Sequence, residues 1–197
     1  MGPAMNPLSM SETRPPQSRR KGRLQLILVA FVAVGPMILA TGMYKLQFWV
    51  PDSRSFHGEM IGNGQSRAEL GVLADEKRWQ LLVSAPQGCE ADCQHLVYLA
   101  RQLNIGLGQD SARASHGLAV AQPLDAEYTA TLAREYPKLQ RYPLDVSLYR
   151  KAAPGVETPQ LWIVDPHGNL VLRYDAKVNG KDLLNDLRQL LKLSNIG

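Results

Sequence analysis

An unbroken run of 21 residues without a formal charge, Leu24 to Tyr44 (LQLILVAFVAVGPMILATGMY), limits what the rest of this chain can be. As a helix rising about 1.5 Å per residue, it matches a hydrocarbon core of about 30 Å. The basic cluster Arg19-Arg20-Lys21-Gly22-Arg23 precedes it, and Lys and Arg beside a span resist translocation. The N-terminus is therefore expected in the cytoplasm and the rest of the chain beyond the membrane. Phe48 and Trp49 follow as interfacial anchors, and Pro36 is expected to kink a helix that a membrane tolerates. A cleaved signal peptide would use the small residues Ala40 and Gly42. The long polar leader and the length of the run favour an uncleaved anchor instead.

Charge follows the same division. Residues 1–45 hold six Lys and Arg against the single acid Glu12, leaving 16 basic and 17 acidic residues in 46–197. The formal net charge of +4 thus belongs to the tail. The larger part offers no electrostatic footprint for nucleic acid, which excludes that partner class. Four segments follow: a disordered cytoplasmic tail over 1–23, rich in Pro, Ser and Arg; a transmembrane helix over 24–44; a stalk with a first turn or strand over 45–70; and one globular domain over 71–197.

In that domain Trp79–Ser84 (WQLLVS) is a short, almost continuous apolar run, expected as a strand buried on both faces. Leu96, Val97, Ala100 and Leu103 recur at helical spacing within Glu90–Leu103. His116–Val120 reads as a second strand, and Asp125–Tyr136 as a second helix with Asp125 as N-cap. Leu161–Val164 and Asn169–Tyr174 are two strands around Asp165-Pro166-His167-Gly168, a hairpin signal. Gly180–Leu193 closes as an amphipathic helix with Leu183, Leu184, Leu187, Leu190 and Leu191 on one face. The order predicts an α/β layer with mixed pairing, a crossover first and an antiparallel hairpin later.

The chain has two cysteines, Cys89 and Cys93, placed directly after the buried strand and at the start of a helix. Amide N–H groups at a helix N-terminus stabilise a thiolate, which marks Cys89 as the reactive member. Glu90 and Asp92 between them push the other way. A purely structural disulfide is a poor explanation, because so short a loop removes little chain entropy. Two inert buried thiols fit an oxidising compartment no better. Redox or metal chemistry remains. A hydroxyl residue three positions before a peroxidatic cysteine would point to peroxide chemistry, but Pro86 stands there.

The strand–CxxxC–helix element, Thr158-Pro159 ahead of Leu161–Val164, and the Asp-Pro-His-Gly hairpin together resemble the thioredoxin-like fold of the Sco/SenC copper proteins. With the anchor and the terminal LLNDLRQLLKLSNIG, the chain looks like the small Sco-related membrane proteins of cytochrome oxidase assembly in proteobacteria. That resemblance covers about residues 55–197. It implies a mixed sheet flanked by helices, a periplasmic domain on a bacterial inner-membrane anchor, and an oxidase subunit or another assembly factor as partner. It also implies Cys89 and Cys93 as catalytic thiols or Cu(I) ligands, supported by Pro159 in the cis form beside them. The family's copper-binding histidine has no counterpart in Val156–Gln160, and Glu90 stands where the family has proline. Of the four histidines, His57 lies in the stalk, His95 points away from the cysteine face, His116 opens a strand and His167 sits in the hairpin. All four read as surface residues, and Trp162 and Tyr174 as core or interface aromatics. Three roles are open at this point: thiol–disulfide exchange, Cu(I) transfer, and a non-catalytic scaffold that only binds a partner.

Overall fold

The computed structural model describes residues 19–46 and 56–194, which fall into two units. The first is the helix α1, Arg19–Leu46, 28 residues long with Pro36 inside it. It starts five residues before the expected span. Leu24, Leu26, Ile27, Phe31, Met37 and Ile38 are all exposed on it, so its apolar side chains are not collected on one buried stripe. Thr41 satisfies its hydroxyl locally, donating to the Met37 carbonyl at 2.7 Å. Among the described residues no helix is long and apolar enough to cross a membrane. The side chains of residues 39, 40, 43 and 44 of the expected span lie outside the described residues, as do the tail 1–18 and the anchors Phe48 and Trp49.

The second unit is built on a six-stranded sheet of order β1-β6-β5-β2-β3-β4. Its strands are β1 Glu59–Met60, β2 Trp79–Ala85, β3 Ala114–Val120, β4 Gln140–Pro143, β5 Gln160–Val164 and β6 Leu170–Tyr174. Every residue of β2 is buried, as its near-continuous apolar sequence requires of a central strand. β2 pairs in parallel with β3 and antiparallel with β5, and β5 and β6 form the expected antiparallel hairpin. Asp165 closes that hairpin by accepting from the amides of His167 and Asn169 at 2.9 and 2.8 Å.

Helices cover both faces. α2 (Ala91–Gly106), α3 (Ala126–Glu135) and α5 (Gly180–Leu193) lie on one side, where Leu81 and Val83 of β2 meet Leu96, Val97 and Ala100 of α2 and Leu183, Leu187 and Leu191 of α5. Full burial of a leucine side chain is worth about 1.5–3 kcal/mol, so this layer carries much of the stability. On the other side α4 (Val146–Ala152) and Leu70 and Val72 cover Leu82, Trp162, Val164 and Leu170. Trp162 is buried there and donates its indole N–H to Ser84 Oγ at 2.8 Å.

The segment 45–70, expected as a stalk with a first turn or strand, joins the domain from residue 56 onward. β1 pairs with β6, Ser66 bridges Asn169, and Leu70 is fully buried. β4 and α4 were not foreseen. β4 is four residues of mixed polarity ending in Pro143, and α4 is seven residues long, too brief for its periodicity to stand out.

Candidate functional site

β2 ends at Ala85, and three residues later Gly88 adopts φ +131°, in a region that L side chains rarely enter. That turn delivers Cys89 to the amino end of α2. Cys89 stands one residue before the N-cap Glu90, outside the helix proper, and Cys93 lies in the first turn. The Glu90 side chain makes no capping hydrogen bond, so the first amides of α2 are not closed off by it. Cys89 and Cys93 form a disulfide with Cα atoms 4.9 Å apart. Cys89 is half-buried, whereas Cys93 is fully buried against Leu96, Val97 and the sheet. The two cysteines therefore differ in burial, with Cys89 the more exposed.

The neighbouring loop is tied to the cysteine loop by Gln87, which donates to Glu157 Oε2 at 3.3 Å. Glu157 also receives Arg150, and those hydrogen bonds hold its carboxyl below the ordinary range. Pro159 follows two residues later. No peptide bond among the described residues is cis, so the bond preceding Pro159 is trans, which corrects the expected cis form. The chain runs from Pro159 directly into β5 at Gln160, and proline's fixed φ suits entry into an extended strand without isomerisation. Gln160, itself buried, caps this approach by donating to the Thr158 and Pro159 carbonyls and to Thr158 Oγ1.

At the same end of the sheet lies a cavity of about 860 Å³ lined by Phe56, His57, Thr158, Gln160, Arg173 and Tyr174, among others. The cysteines are not among its lining residues. Behind its lining residues His57, Gly58 and Tyr174 lies a group that sequence reasoning missed. Asp186 of α5 is 1 % exposed and accepts from the His57 amide at 2.7 Å, the Gly58 amide at 3.2 Å and the Tyr174 hydroxyl at 2.8 Å, while His57 Nδ1 meets its other oxygen at 2.9 Å. The hydrogen bond with Asp186 raises the His57 pKa, with the charges of Asp186 and Asp182 acting in the same direction. Burial raises that of Tyr174, and Asp186 adds to it. His57 was expected as a plain stalk residue. The only signal for its role is an aspartate at an otherwise leucine-rich position of α5, which breaks the amphipathic pattern.

The other histidines divide. His95 and His167 are exposed, as expected. His116 is 4 % exposed on β3, not a surface residue, because its strand is covered by α2. No cluster of three or more His, Cys, Asp or Glu side chains suited to a metal ion occurs among the described residues. The donor set at the cysteines is thus two sulfurs, which does not match a site built of two thiolates and a histidine.

A parallel strand running through a CxxxC turn into a helix, on a mixed sheet with helices on both faces, defines a thioredoxin-like domain. Residues 79–194 match a family model described as transmembrane-like, thioredoxin-like, C-terminal domain, and residues 16–47 match one described as transmembrane-like, N-terminal domain. The chain belongs to this transmembrane-like, thioredoxin-like family. Curated proteins give no match. Among solved structures it is similar to copper-bound ScoI of Arabidopsis thaliana (10% identity, 60% of this chain, 87% of that one, TM-score 0.48). It is also similar to yeast Sco1 (13%, 62% and 85%, TM-score 0.47) and to a thiol:disulfide interchange protein from Bacteroides sp. (14%, 68% and 84%, TM-score 0.44).

Proposed function

We propose that this protein is a membrane-anchored thiol–disulfide exchange factor whose domain lies outside the cytoplasm and acts through Cys89 and Cys93. The carrying observation is the asymmetric pair: a disulfide between a half-buried Cys89 ahead of the helix and a fully buried Cys93 within it. In the reduced protein the Cys89 thiolate attacks one sulfur of a partner disulfide, forming a mixed disulfide and releasing the first partner thiolate. The Cys93 thiolate then attacks Cys89 Sγ, releasing the second partner thiolate and closing the pair. Two electrons pass to the partner, and an external dithiol must reduce the pair again. The anchor rests on the uncharged run, on the apolar side chains exposed along α1 and on the transmembrane-like match over 16–47.

The resemblance of the sequence to Sco/SenC proteins supports one partner class: a cysteine-bearing subunit of a respiratory oxidase, or another assembly factor, whose thiols must be reduced before they accept copper. Cu(I) carried by the two thiolates is the second reading, since this soft ion accepts few ligands. The two-sulfur donor set places it behind thiol exchange. The exchange reading is tested by incubating the full chain carrying Cys93→Ser with a disulfide-bonded peptide. A mixed disulfide trapped through Cys89 is the expected product. A Cys93→Ser chain that forms no such adduct, while the peptide is readily trapped by a free thiol, would overturn it.

A further inference from the structure

The chain contains the dipeptide Asn-Gly twice, at Asn63-Gly64 and at Asn179-Gly180. Asparagine is chemically labile, because the amide nitrogen of the next residue can attack its side-chain carbon, and glycine leaves that nitrogen least hindered. The fold puts the two pairs in opposite settings.

Asn63 and Gly64 are exposed in a turn between β1 and Ser66. The flanks of this turn are fixed. The Ile61 amide donates to the Val171 carbonyl at 2.9 Å, the Leu170 amide to the Gln65 carbonyl at 2.8 Å, and the Arg67 amide to the Gly168 carbonyl at 2.7 Å. Between these ties, no backbone hydrogen bond among the described residues involves Asn63 or Gly64. Gly64 has φ +71°, and the space where a Cβ would stand is open. The Gln65 amide donates to Asn63 Oδ1 at 3.1 Å, which curls the side chain over the backbone that follows it. The Gly64 nitrogen is thus free to turn toward Asn63 Cγ.

Asn179-Gly180 has the same local bond, from the Lys181 amide to Asn179 Oδ1 at 2.9 Å, but it opens α5. Asn179 is the N-cap at ψ 122°, and its carbonyl accepts from the Leu183 amide at 3.1 Å. A Cβ on Gly180 would stand 2.8 Å from Leu99 Cδ1, so α2 closes on that stretch of backbone. Swinging the Gly180 nitrogen onto Asn179 Cγ would break the first turn of the helix and this contact.

We propose that Asn63 is a site of spontaneous deamidation and that the fold protects Asn179 from the same reaction. The Gly64 nitrogen gives its proton to hydroxide and attacks Asn63 Cγ. The bond from Cγ to the side-chain nitrogen breaks, and that nitrogen takes up a proton and leaves as ammonia. A cyclic imide now joins residues 63 and 64. Water opens it in one of two ways. Cleavage between Cγ and the Gly64 nitrogen leaves aspartate; cleavage between the main-chain carbonyl carbon and that nitrogen leaves isoaspartate, with the chain running through the former side chain. In both products water is consumed, ammonia is released, nothing is oxidised or reduced, and residue 63 becomes an anion. The hydrogen bonds on both flanks hold the turn in place, so the domain accommodates the longer isoaspartyl backbone.

The full chain in detergent, held at mildly alkaline pH, is sampled by peptide mapping. Residue 63 should gain the mass of an amide-to-acid exchange about tenfold faster than residue 179, the cost of losing an N-cap setting that ratio. The residue 63 peptide should also split chromatographically into aspartyl and isoaspartyl forms. In denaturant the two positions should react at similar rates. Equal rates at residues 63 and 179 in the folded chain would overturn the proposal. So would a folded chain in which residue 63 stays amidated while the denatured chain reacts there. A preference for residue 63 that persists unchanged in denaturant would overturn it too, because the fold would not be its cause.

Discussion

His57 and Asp186 stand 129 positions apart in the chain, yet the imidazole Nδ1 and a carboxylate oxygen meet at 2.9 Å. The same carboxylate takes the His57 and Gly58 amides and the Tyr174 hydroxyl, so one buried acid fastens the entry of the domain to its last helix. A side chain at Gly58 would collide with the Tyr174 ring, which keeps that entry close.

The sign of the pH effect follows. His57 titrates above its ordinary 6.5 in the folded protein because Asp186 bonds it. Its contribution is complete below about pH 6.5 and is lost as pH rises through the folded value. Thermal unfolding midpoints should decline across that interval, and His57→Ala should flatten the decline. A wild-type midpoint that rises there would contradict the pairing.

Removing the acid should cost more than removing one of its donors. Asp186→Ala leaves the buried Tyr174 hydroxyl and two amides without their acceptor, and a loss of about 2–3 kcal/mol is expected from denaturant unfolding. Tyr174→Phe removes one donor and should cost about 1 kcal/mol. Equal losses for the two variants would mean that Asp186 is not the hub.

Thiol chemistry should be unequal as well. Alkylation of the reduced chain should proceed faster at Cys89 than at Cys93, because Cys93 is fully buried and Cys89 is not. Each single Cys→Ser variant isolates one rate across pH. Faster labelling of Cys93 would reverse the roles of attacking and resolving thiol.

Copper separates the two readings of the pair. Reduced chain titrated with Cu(I) against a weak chelator should retain little metal, since the pair offers two sulfurs and no third ligand among the described residues. Stoichiometric retention, abolished by Cys89→Ser and by Cys93→Ser, would move the carrier reading ahead.

Topology can be read directly. If the basic residues before the apolar run set the orientation, a reporter fused after Gly197 should be active only in a form that functions outside the cytoplasm. Activity of a cytoplasmic reporter at that position would place the domain on the wrong side.

Elements with strong periodicity were legible in the sequence. The closing helix has the expected bounds, Gly180–Leu193, because five leucines at helical spacing leave little ambiguity. Asp125 caps α3 as expected, accepting from the Tyr128 amide at 2.7 Å. The closeness of Cys89 and Cys93 was legible because a four-residue spacing at the start of a helix brings both to one face. His57, Asp186 and His116 were not. Their roles depend on contacts between residues far apart in the chain, and a single sequence records no such distance. The bond before Pro159 is not legible locally because the trans form of an X–Pro bond is favoured by only about 0.5–1 kcal/mol, so the surrounding backbone decides it and not the local sequence.

The two outer strands bear on how this domain meets other chains. An open strand edge offers unpaired N–H and C=O groups to any neighbouring chain. Here one border is β1, only two residues long, and the other is β4, which carries Arg141 and ends in Pro143, where no N–H is available to bond. Neither border is a long flat template for another chain's strand. A further strand therefore finds little at either border to extend.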